Sequence, residues 1–105
     1  MFDPRQGRFV MQTLPYNVQK YRQTPEFDET GVPAGLLKAH QTPKGTWGRI
    51  VIVSGQLAYR ILAPEAENVV LSEELYAIVE PVVPHQVKPP GNVKVYVEFY
   101  REPAN

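Results

Sequence analysis

No cysteine occurs among the 105 residues. That excludes a disulfide framework, a thiol nucleophile and a thiolate metal centre. An excess of charge is missing too, since eleven Lys and Arg balance eleven Asp and Glu. A balanced chain lacks the basic footprint of a nucleic-acid binder, and it offers no block of like charge to an anionic membrane. No apolar run approaches the roughly 20 residues that span a bilayer. Met1 to Gln12 carries Asp3, Arg5 and Arg8 without an apolar core, so it is not expected to be a secretory signal. The expectation is a cytoplasmic protein with neither a nucleic-acid nor a membrane partner. Serine is limited to Ser54 and Ser72, each in a turn with no histidine nearby in sequence, which argues against a serine nucleophile. Eleven prolines and seven glycines leave little room for long helices.

What the chain does contain is short β-type runs separated by turn signals. Arg49–Ser54 (RIVIVS) is the clearest, being rich in β-branched residues. Gln56–Leu62 follows, with Leu57, Tyr59 and Ile61 on one face, and Ser54-Gly55-Gln56 predicts a hairpin between the two runs. Val69–Leu71, Leu75–Glu80 and Gln86–Lys88 read as further strands, as does Leu36–His40. Leu14–Gln23 is ambiguous between a strand and a single turn, and Thr24–Val32 reads as a loop. Val93–Arg101 alternates, with Val93, Val95, Val97 and Phe99 opposite Lys94, Tyr96, Glu98 and Tyr100. About seven or eight such strands predict an all-β sandwich or barrel. One domain over residues 1–105 is expected, with residues 1–13 as an N-terminal arm.

Several features carry a resemblance to a known family. Thr24-Pro25-Glu26-Phe27 with Val32-Pro33 opens it. His40 precedes Lys44-Gly45-Thr46-Trp47-Gly48, a GTWG element. Pro81 to His85 forms a PxxxH bend, and Glu98-Phe99-Tyr100 lies in an aromatic last strand. Together they resemble the TehB/YeaR-like small cupins, known from tellurite-resistance-related proteins, over about Leu14 to Glu102. One departure is Pro84, where the family often has tryptophan beside the second histidine. The resemblance implies a cupin-like double-stranded β-helix, a jelly-roll barrel, with its working site at the mouth around His85. In longer relatives this domain precedes a methyltransferase domain. The present chain has no glycine-rich cofactor loop and is too short for one, so no methyl transfer is expected of it.

His40 and His85 are the only histidines. Cupins bring such positions to one open end, and imidazole binds zinc, nickel or iron. With Glu98, or Glu80 behind it, they would complete a two-histidine, one-carboxylate set. Two features oppose this. The stretch Thr42–Gly48 offers Lys44, Thr46 and Trp47 where cupins usually carry their first-motif ligands, and Glu98 sits on the polar face of its strand. Two histidines hydrogen-bonded at a barrel rim are the alternative. Trp47, Arg49, Tyr59 and Tyr96 are candidate pocket-wall residues, and each could equally be a core or surface side chain. Lys44 and Arg49 flank Trp47 and could draw an oxyanion to the mouth. The expected function is therefore binding of a small molecule or oxyanion, with or without a divalent metal. A metal-dependent isomerase or dioxygenase and a non-catalytic homodimeric module are the alternatives.

Overall fold

The computed structural model describes residues 13–33, 37, 40–63 and 65–103. Eight strands run in order: β1 Gln19–Gln23, β2 Phe27–Asp28, β3 Trp47–Gly55, β4 Leu57–Ile61, β5 Glu67–Leu71, β6 Ala77–Val79, β7 His85–Lys88 and β8 Val93–Arg101. They form two antiparallel sheets. In the larger one the order is β1-β8-β3-β6, with β2 also paired to β8; in the smaller one it is β5-β4-β7. The domain is thus all-β, and no ladder joins the two sheets into a closed barrel among the described residues. Nor is any helix among them long and apolar enough to cross a membrane.

Alternation builds the core. Ile50 and Ile52 on β3 and Val93, Val95 and Val97 on β8 face Leu57, Tyr59 and Ile61 on β4, Leu71 on β5 and Val87 on β7 in one buried cluster. Each such aliphatic side chain contributes roughly 1.5–3 kcal/mol when taken from water. Polar residues between them, such as Lys94 and Arg60, turn outward.

The predicted hairpin between β3 and β4 does not form. β3 pairs with β6 and β8, whereas β4 pairs with β5 and β7. Both edges of β3 are occupied, so at Gly55 the chain crosses to the other sheet instead of folding back. Gly55 has φ +84°, and a Cβ there would lie 2.2 Å from the Asn92 carbonyl oxygen. The glycine therefore serves a close crossing against the β7–β8 connection, not a two-residue turn. The Thr24–Val32 segment holds the short strand β2. Thr24 splices it to β1: its N–H donates to the Val97 carbonyl at 2.9 Å, and its hydroxyl accepts the Val97 N–H at 3.0 Å. The strand expected at Leu36–His40 lies largely outside the described residues. Of it, Leu37 sits in a 3₁₀ turn and His40 makes a single bridge to His85. The arm expected at residues 1–13 lies outside the described residues up to residue 12.

Candidate functional site

One row of residues across the larger sheet explains why a cavity exists. Arg22 on β1 pairs with Phe99 on β8, Phe99 with Gly48 on β3, and Gly48 with Val79 on β6. Paired residues share a face, and here that face looks toward the smaller sheet. Gly48 contributes no side chain, and a Cβ there would already come within 3.3 Å of Val79 Cβ. The gap belongs to a cavity of about 220 Å³ between the sheets. Ile50, Val97 and Phe99 line it from one side and Leu57 and Val87 from the other, with Arg22, His40, Thr42 and His85 adding polar groups.

Two linked turns deliver the histidines. Thr42 is buried, and its hydroxyl donates to the Thr46 carbonyl at 2.7 Å, closing a turn that needs Gly45 at φ +84°. The Pro81–Pro84 bend contains Val82 at φ 55°, a conformation rare for a β-branched residue. Val82 holds it by donating its N–H to the Thr42 carbonyl at 3.0 Å. β7 then opens with His85, which is only 2% exposed. His40 and His85 exchange two backbone hydrogen bonds, of 2.8 and 2.7 Å, and their rings meet edge to face at 5.4 Å. Tyr59 packs at 5.7 Å from the same His85 ring.

The His85 Nδ1 lies 3.1 Å from the Val83 carbonyl. A carbonyl only accepts, so Nδ1 carries the proton and Nε2 keeps its lone pair. Burial lowers the pKa of His85 below that of an ordinary histidine; the Val83 hydrogen bond opposes the shift, and His40 adds a further push downward. His85 is therefore a neutral imidazole at pH 7, with Nε2 as an acceptor.

The opposite face of the same sheet is different. There Trp47 pairs with Tyr100, Arg49 with Glu98 and Val51 with Tyr96. Glu98 is only 5% exposed despite its charge. It accepts hydrogen bonds from Arg49 Nε at 2.6 Å, Lys20 Nζ at 3.1 Å and the Tyr100 hydroxyl at 3.0 Å. Burial pushes its pKa up, but the hydrogen bonds from Arg49, Lys20 and Tyr100 outweigh that and hold the carboxyl below the usual range. Arg49 also lies over the Tyr76 ring at 5.3 Å.

The sequence-derived residues thus separate. His40 and His85 come together at the cavity, and Tyr59 is buried beside them. Trp47, Arg49, Tyr96 and Glu98 stand on the outer face, because each is an odd number of residues along its strand from a cavity-lining neighbour. Among the described residues no three of His, Cys, Asp and Glu gather to hold a metal ion. Two imidazoles without a third donor do not fit the facial set that open-site iron or zinc chemistry uses. Gly48, Arg22 and Phe99 had no part in the sequence-derived site. Counting alternate positions back through β3 from Ile52 to Ile50 points to Gly48 rather than Trp47, so that signal was present in the chain.

A profile of the TehB-like domain family matches residues 22–97. Over 72 residues the chain is 29% identical to the probable S-adenosyl-L-methionine-dependent methyltransferase TehB of Haemophilus influenzae, covering 65% of this chain and 25% of that protein. The crystal structure of Haemophilus influenzae TehB matches with a TM-score of 0.77 at 23% identity, over 83% of this chain and 32% of that one. A crystal structure of an Escherichia coli K12 protein matches with a TM-score of 0.79 at 20% identity, over 90% of this chain and 100% of that one. The two solved structures share the fold, and the present chain spans a quarter of the curated relative's length.

Proposed function

This chain belongs to the TehB-like domain family, and on that premise we propose that it is a small-molecule-binding module. Its two facing sheets are a cupin-type jelly roll, and the cavity between them takes one small organic ligand. The observation that carries this is the apolar cavity above Gly48 with the neutral His85 in its wall. Its volume, about 220 Å³, compares with an engineered apolar cavity of about 150 Å³ that binds benzene. The Nε2 lone pair of His85 supplies an acceptor for one polar group of the ligand. A bare inorganic oxyanion such as tellurite suits the cavity less well, because it has no apolar body to fill the space over Gly48 and the aliphatic walls there cannot replace its hydration. The methyltransferase activity in the curated relative's name is not carried over to these residues, which span a quarter of that protein.

Calorimetric titration with small aromatic and aliphatic probes, including indole, phenol and hexanol, tests the reading. At least one should bind saturably to this chain. Gly48→Val, which fills the gap beside Val79, should abolish that binding while the far-UV circular dichroism stays β-type. Probe binding that survives in Gly48→Val, or no binding by any probe, contradicts the proposal. Tellurite titrated in parallel should give no saturable heat.

A further inference from the structure

We infer that the ligand of this cavity is a small organic anion and that Arg22 is the residue that recognises its charge; this rests on the reading that the cavity binds a ligand. Arg22 belongs to the inner row through its pairing with Phe99, and its guanidinium lies 5.1 Å from the centre of the Phe99 ring, at the cavity wall. On the outer face Arg49 and Lys20 pair with Glu98 at 2.6 and 3.1 Å, and Arg101 lies over the Tyr21 ring at 4.0 Å, away from the cavity. Among the described residues no carboxylate reaches Arg22. No Asp or Glu among the described residues lines the cavity. A guanidinium facing an acid-free apolar space is a site for an anion brought from outside, and it can hold a carboxylate through two parallel hydrogen bonds.

The remaining polar groups fit the same assignment. The Thr42 hydroxyl spends its proton on the Thr46 carbonyl, whereas the Thr24 hydroxyl only accepts the Val97 N–H and keeps its own O–H as a second donor for the same anion. His85 offers a lone pair, which repels a carboxylate and accepts from a hydroxyl or N–H. The negative group therefore goes to Arg22 and the apolar body over Gly48. The Phe99 ring beneath the guanidinium attracts it, which restrains the side chain and limits the entropy lost on binding.

The test uses probes matched in shape and differing in charge: benzoate against benzamide, and hexanoate against hexanamide. Each is titrated calorimetrically into the unaltered chain, Arg22→Gln, Arg22→Lys and Arg49→Gln. The acids should bind about tenfold more tightly than their amides, the scale of one charge-assisted contact. Arg22→Gln should bring each acid down to the level of its amide and leave the amides unchanged. Arg22→Lys should restore part of the preference, and Arg49→Gln should leave it intact. Amides that bind as well as acids, or acids indifferent to Arg22→Gln, overturn the inference while the cavity stands as a binding site. Failure of acids and amides alike overturns the binding reading itself, and the inference with it.

Discussion

The two faces of the β3–β8 pair are built from the same nine-residue strands and differ in every property that bears on function. The outer face holds a carboxylate, an arginine, a lysine and tyrosines, and it uses them on one another: Glu98 satisfies Arg49, Lys20 and Tyr100. The inner face holds less chemistry but leaves it open. Around the cavity it walls, Arg22 on β1 has no carboxylate among the described residues, His85 on the facing β7 keeps a lone pair, and Gly48 on β3 makes room beside them. A cluster rich in titratable groups can be a finished structural network, whereas a sparse apolar row with one unspent charge is where a ligand has something to gain.

That contrast can be broken by mutation. Leu57→Ala removes a 2%-exposed inner-face side chain and should lower stability by about 2–5 kcal/mol while enlarging the cavity. Urea denaturation measures the loss, and tighter binding of the larger aromatic probes would confirm the enlargement. On the outer face, Glu98→Ala strands three donors and should cost about 1–3 kcal/mol. The lower half of that range is expected, since the Arg49 and Lys20 side chains are 33% and 42% exposed and reach water. Probe affinity should not change, and a large change would erase the distinction between the faces.

The faces also titrate apart. Folding lowers the pKa of His85, so the unfolded chain takes up a proton that the folded chain resists. The stability tied to His85 is full above about pH 6.5 and is lost as pH falls through the folded value, at up to about 1.4 kcal/mol per pH unit. Glu98 is also held low, so its contribution is present above its ordinary pKa of 4.5 and disappears below that. Denaturation midpoints from pH 7.5 to 3.5 should therefore show two declines. His85→Gln should remove the upper one and Glu98→Gln the lower. The smallest expected effect is that of zinc, nickel or iron: with two imidazoles and no third donor gathered among the described residues, none should raise Tm. A saturable rise would restore a three-ligand reading of the mouth.

The strands were legible in the chain because alternation and proline or glycine punctuation are local. Val93–Arg101 is β8 from end to end, and the all-β class follows from such runs. The β3–β4 hairpin was not legible, since a glycine that permits a crossing against Asn92 looks the same in sequence as one that permits a turn. At the site, the PxxxH bend drew notice to His85, which lines the cavity, though as one of a metal-binding pair with His40. The GTWG element led to its largest residue, yet Trp47 faces outward and Gly48 makes the space. Arg22 was hidden because its role depends on a pairing across more than 70 positions with Phe99, a distance over which a single sequence carries no register.

The central claim is that binding happens on the inner face. Methyl-labelled valine NMR reads both faces at once, since Val79, Val87 and Val97 line the cavity while Val51 pairs with Tyr96 on the outer face. Titration with benzoate should shift the four cavity valines, Val95 included, with a common Kd and leave Val51 still. Shifts at Val51 and the Trp47 indole, with the cavity methyls unmoved, would contradict the account.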